Sequence, residues 1–109
     1  MMNEYNIKSS IAELKEVLMD TFDEGIELYL FGSVARHEYS PESDIDILVL
    51  FPGEVDTNLK TEIIDLAFDI GLKNDVVFNV IVRSKRYWKS KRAAVTPFQR
   101  NLEKEALRL

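Results

Sequence analysis

Two short runs of aliphatic and aromatic residues, Asp44 to Phe51 and Asp75 to Val82, stand on either side of one amphipathic helical pattern. This arrangement limits the fold more than any other feature of the chain. Leu59, Ile63, Leu66 and Ile70 step by four, three and four residues, which lines them along one face of a helix. Asp56 or Thr57 supplies its cap, and Gly71 marks its expected end. If the two flanking strands run parallel, that helix is the crossover such a pair requires. Asp75 to Val82 is apolar at nearly every position, which predicts a central strand covered on both faces.

The rest of the chain falls into place around this unit. Ser10-x-x-Glu13 reads as a capping box opening a helix through Ile11, Leu14, Val17, Leu18 and Phe22, with Gly25 as its stop. Ile26 to Phe31 predicts a strand that ends at Gly32. Ser33 to about His37 predicts one or two helical turns started by the Ser33 side chain, and Glu38 to Ser43, with Pro41 inside, predicts a loop. Ser84 to Arg92 is a weakly patterned helix. Thr96-Pro97-Phe98-Gln99 is a second capping box with proline at the first helical position, and Phe98, Leu102, Ala106 and Leu109 supply its stripe. The order α-β-α-β-α-β-α predicts an α/β chain (α+β in strict terms): one small mixed sheet with packed helices, a single domain over residues 1–109.

Composition closes off several kinds of chemistry. There is no cysteine, which removes disulfide scaffolds, thiol nucleophiles and Cys-based zinc sites, and the single His37 removes a multi-histidine metal centre. The longest apolar run is Ile47 to Phe51, far short of the roughly 20 residues that span a bilayer. No secretory leader pattern opens the chain, so a cytoplasmic location away from membranes is the expectation. The net charge of −5 conceals a split: residues 83–109 carry nine bases and two acids, whereas the remainder carries five bases and 17 acids. Between Arg83 and Arg100 no acidic residue occurs, and Tyr87 and Trp88 interrupt the basic run. Such a segment suits an acidic partner, or serves as a solvated face that offsets the acidic body. The aromatic pair could stack a base, although packing is the commoner use; nothing else points to nucleic acid.

The chemistry concentrates between Leu28 and Phe51, LYLFGSVARHEYSPESDIDILVLF. Gly32 lets the backbone approach a ligand closely. The first amides of a helix beginning at Ser33 form an anion site, the Ser33 hydroxyl adds a donor, and Arg36, one turn on, brings a charged fork suited to phosphate. Asp44 and Asp46 alternate along a strand and share a face, with Cα atoms roughly 6.6 Å apart. Carboxylates so placed repel unless a cation lies between them, and magnesium suits a few carboxylates plus phosphate oxygens and water. A Gly-Ser turn or an Asp-x-Asp pair alone is common. Together, in this setting and with Arg36, they describe a site for a metal-bound nucleoside triphosphate.

Gly-Ser-x-x-Arg, followed about ten residues later by Ser-Asp-x-Asp and an aliphatic strand, resembles the DNA polymerase beta-type nucleotidyltransferases. The likeness is greatest to their minimal, MNT-type members, often encoded beside a HEPN-domain partner. It is carried by residues 26–51 and extends to about residue 85 by order and length alone. The resemblance implies the nucleotidyltransferase fold, with Gly32 and Ser33 holding the triphosphate, Arg36 supporting it, and Asp44 and Asp46 as catalytic ligands of two magnesium ions. Many relatives have glycine after the arginine, where this chain has His37; a solvent-facing residue is the simpler reading of that histidine than a base. The family's third carboxylate lies on the next strand. Here that position is Asn79 if the strand is registered by the following Ser84-Lys85-Arg86-Tyr87 segment, and the nearest acid is Asp75, two pleats away on the same face. Asn79 brings no charge, though its carbonyl oxygen can accept a hydrogen bond or ligate weakly.

The resemblance thus implies an enzyme that moves a nucleoside monophosphate, AMP from ATP foremost, onto a hydroxyl of a partner protein, in the manner of an MNT-type antitoxin facing a HEPN toxin. A small-molecule acceptor is less favoured. A catalytically weakened nucleotide-binding or interaction module of the same fold is the alternative. The nucleotide, the acceptor and any oligomeric state are not legible in the sequence.

Overall fold

The computed structural model describes residues 3–90 and 95–109. Helix α1 spans Glu4–Thr21 and is capped by Asn3, whose side chain accepts from the Asn6 N–H at 2.8 Å. The Ser10-x-x-Glu13 capping box is therefore not a helix start. Ile7 carries the apolar stripe a turn further upstream, and Ser10 falls on that stripe with Leu14 and Leu18, fully buried, its hydroxyl unpartnered among the described residues. Glu13 instead reaches across to α3 (Thr57–Asn74), where it accepts from Lys73 and, at 3.1 Å, from Asn74. Those donors hold its carboxyl below the usual carboxylate range.

Strand β1 (Glu27–Phe31) leads straight into the short helix α2 (Gly32–Ala35), and after a loop β2 (Ile45–Phe51) pairs antiparallel with β1. Helix α3, capped by the Asp56 side chain on the Leu59 N–H at 2.8 Å, then crosses to β3 (Phe78–Ser84), which lies parallel to β2. Ser84 caps the single turn α4 (Lys85–Trp88). The last elements are α5 (Pro97–Glu105), capped by Thr96, and the two-residue strand β4 (Leu107–Arg108), antiparallel to β1. The expected helix through Ala106 and Leu109 thus ends earlier, and the Leu109 N–H donates to the Leu28 carbonyl at 2.9 Å. The sheet order is β3-β2-β1-β4.

The sheet has two unequal faces. Ile45, Ile47 and Val49 of β2, with Leu28 and Leu30 of β1, pack against Leu14 and Leu18 of α1 and Ile63, Ala67 and Ile70 of α3. On the other face Leu48 and Leu50 lie with Tyr29, Phe31 and Ile81 under Leu102, Ala106 and Trp88. The strand covered on both sides is therefore β2. The expectation of a central β3 is corrected: among the described strands β3 pairs with β2 alone and forms one edge of the sheet, with β4 at the other; Val77, just before β3, is 60% exposed.

Helix α3 also runs past Gly71, its expected stop, to Asn74, and Asp75 is its left-handed cap with φ 58°. Gly71 has a different purpose. A Cβ there would lie 2.6 Å from the Val76 carbonyl oxygen, so only glycine lets the chain fold back over the helix. Helix propensity alone would make Gly71→Ala stabilising by up to about 1 kcal/mol. The backbone clash predicts the opposite sign, a loss of about 1–3 kcal/mol in thermal or urea unfolding. Among the described residues no helix is long and apolar enough to cross a membrane.

Candidate active site

The turn from β1 into α2 is built around Gly32. Its φ of 74° is left-handed, and a Cβ on it would fall 2.0 Å from Asp46 Oδ2 and 2.9 Å from Asp46 Cγ. The carboxylate of Asp46 thus lies directly over the space that any other residue would fill. Sheet register explains the meeting: Asp46 is paired with Phe31, the last residue of β1, so its neighbour across the strand end is the turn itself. Helix α2 begins after Phe31 and receives no side-chain cap. The Ser33 hydroxyl does not start the helix as expected, and the first amides of α2 open beside Asp46 with no capping side chain.

Asp46 faces Asn79 in the parallel pairing of β2 and β3. Asn79 Nδ2 donates to Asp46 Oδ1 at 2.9 Å. This direction follows from the partner's chemistry, since an ionised carboxylate only accepts. The structure therefore brings Asn79, and not Asp75, to Asp46. The expected placement of Asp75 in the third strand, on the face of Asn79, is corrected: it caps α3 and lies by Pro41, Glu42 and Ser43. The positive φ of that cap, invisible to a pattern of apolar residues, is what breaks the strand.

Asp44 is exposed and immediately precedes β2, where the Ile45 N–H donates to the Val77 carbonyl at 2.8 Å and ties this end of the strand to the start of β3. Asp46, one alternation on, is half-buried. Among the described residues no group of three or more His, Cys, Asp or Glu side chains is arranged for a metal ion. The candidate donors are the hard carboxylates of Asp44 and Asp46, at the strand end beside the uncapped α2. That set fits a magnesium ion whose remaining ligands are water and substrate phosphate oxygens, and it fits no all-protein cage.

Arg36, the residue after α2, is exposed and committed elsewhere: Nε donates to Glu38 at 3.1 Å and Nη1 to Glu105 at 3.0 Å. The two carboxylates hold the guanidinium above even its usual high value. Glu105 was not among the residues singled out from the sequence, and spacing offers no clue to it; it reaches the site only because α5 lies on the same face of the sheet as Asp46. His37 has φ 57°, a left-handed conformation that glycine adopts more easily than a residue with a Cβ.

The basic segment is not one uniform free surface. Lys85 pairs with Glu27 at 2.7 Å, and Arg83 donates to its neighbour's carbonyl, Val82 O, at 2.9 Å. Lys85 and the Tyr29 hydroxyl together hold the Glu27 carboxyl below its usual range. Trp88 packs on the second core and meets Phe98 edge-on at 6.2 Å, so it is a packing residue. Lys91 and Arg92, counted in the basic run, lie outside the described residues.

The sheet and its turn define a nucleotidyl-transfer fold, and comparison with known proteins agrees. The family model for the nucleotidyltransferase domain matches residues 11–106, and the chain belongs to that family. Two relatives from Methanocaldococcus jannaschii are each named a putative protein adenylyltransferase. One is 39% identical over 87 residues, covering 79% of this chain and 82% of the relative. The other is 35% identical over 79 residues, covering 72% and 77%. No solved structure matches.

Proposed function

We propose that this chain transfers AMP from magnesium-bound ATP to a hydroxyl group, foremost one on a partner protein. The observation that carries the reading is the meeting of Asp46 with the Gly32–Ser33 turn, where a carboxylate occupies the only space a glycine leaves. Gly32 and Ser33 seat the triphosphate, Asp44 and Asp46 present the ligand oxygens, and Arg36 steadies the phosphates. The acceptor hydroxyl gives up its proton to solvent as its oxygen bonds to the α-phosphorus, the bond to the α,β-bridging oxygen breaks, and pyrophosphate leaves with that oxygen. Magnesium, when bound, neutralises the phosphates and favours in-line attack; positioning and charge supply most catalysis of this kind. The acceptor choice draws on the names of the two relatives, which speak of protein adenylylation. A HEPN-domain protein is the partner that the sequence resemblance offers, in a toxin–antitoxin setting. The test incubates the chain with labelled ATP, magnesium and the product of the neighbouring gene. A mass gain of one AMP on that product supports the reading, and no transfer under any nucleotide or divalent ion counts against it.

Arg36 must exchange Glu105 for phosphate in this scheme. Glu105→Gln should therefore tighten magnesium–ATP binding modestly, by about two- to fivefold, as befits an exposed pair. Calorimetry reads the change directly, and weaker binding by this variant would show that Glu105 supports the site and does not compete with it.

A further inference from the structure

We propose that the site takes one divalent cation with its nucleotide, not two, and that Asn79 sets this number. The inference rests on the nucleotide reading above. Asp46 has two oxygens with different surroundings. Oδ2 lies over Gly32, at the turn to which the nucleotide reading assigns the phosphates. Oδ1 accepts the Asn79 amide at 2.9 Å, so a partly positive N–H stands where a bridging carboxylate would need a second ion. Two ions held about 3.5–4 Å apart are ordinarily bridged and flanked by carboxylates. Asp44 and Asp46 are the acidic residues at this end of β2, and the described residues hold no cluster of three acidic or imidazole ligands. Asp75, the nearest acid in sequence, is held at the α3 cap. Two negative charges balance one divalent ion, and a second would stand beside a neutral amide already donating to the shared carboxylate. Asn79 is thus a positioning residue: it holds Asp46 with Oδ2 toward the turn and substitutes a hydrogen bond for the charge that a second ion requires.

Counting ions tests this without relying on turnover. Manganese replaces magnesium, and electron paramagnetic resonance follows free Mn2+ during titration of the protein saturated with the α,β-methylene analogue of ATP. The expected result is one Mn2+ per chain in the wild type and two in Asn79→Asp, with unchanged circular dichroism. Asn79→Ser, which removes the amide without adding charge, should stay at one. Two ions in the wild type would overturn the proposal while leaving the nucleotide reading intact, as would one ion in a folded Asn79→Asp. Failure of the wild type to retain the analogue at any manganese concentration would overturn the nucleotide reading itself, and is recognised because no protein-bound nucleotide is found.

Discussion

Gly32→Ala should lower the stability of the chain and remove its nucleotide site in one step. The methyl group would sit 2.0 Å from Asp46 Oδ2, at a backbone φ of 74° that alanine disfavours. The left-handed conformation costs about 1–2 kcal/mol for a residue with a Cβ. Displacing a well-placed neighbour adds about 1–3 kcal/mol. Together these correspond to a fall in melting temperature on the order of 10–20 °C for a domain near this size. Asp46 is the side chain that must move, so magnesium–ATP binding should be lost even at temperatures where the variant is folded. A variant that melts with the wild type and binds equally well would show that the turn tolerates a side chain and that Asp46 does not lie over it.

Asp46→Asn separates the charge from the shape. The amide keeps the volume of the carboxylate and retains an oxygen able to accept from Asn79, so the fold should persist. Removing one of two neighbouring negative charges relieves their repulsion and should, if anything, slightly stabilise the ligand-free chain. Magnesium-dependent ATP binding should fall by at least about 100-fold, because a hard cation loses half of the protein charge that holds it. Titration calorimetry with a parallel thermal melt reads both effects. Here the contrast with Gly32→Ala is informative: one variant loses binding through geometry and stability, the other through charge alone.

Much of this arrangement was legible in the sequence because it is written in local patterns. The helix from Thr57 follows an unbroken apolar period behind Asp56, and the structure places both as read. The β1 turn and the Asp-x-Asp strand carry their own punctuation, so the candidate site residues fall within one window. The errors arise where tertiary contacts override local signals. Ser10 matches a capping box, yet burial against the sheet claims it for the helix interior. Gly71 reads as a stop, yet it is a point of close approach for the Val76 carbonyl. The run from Asp75 looks like a central strand, but Asp75 caps a helix, the strand begins only at Phe78, and its place at the sheet edge follows from pairing with β2 alone, which no local period records. Glu105 reaches Arg36 from 69 residues away, a pairing no spacing rule can reveal.

In the function proposed above, Asp44, Asp46 and the Gly32–Ser33 turn form one metal-dependent triphosphate site. Its most direct test is calorimetric titration of the wild-type chain with ATP, first in magnesium and then with the metal removed by a chelator. The expected result is saturable binding in magnesium that disappears with chelation and that Asp46→Asn weakens by at least about 100-fold. Binding of equal strength with and without magnesium, or by Asp46→Asn and the wild type alike, would contradict it.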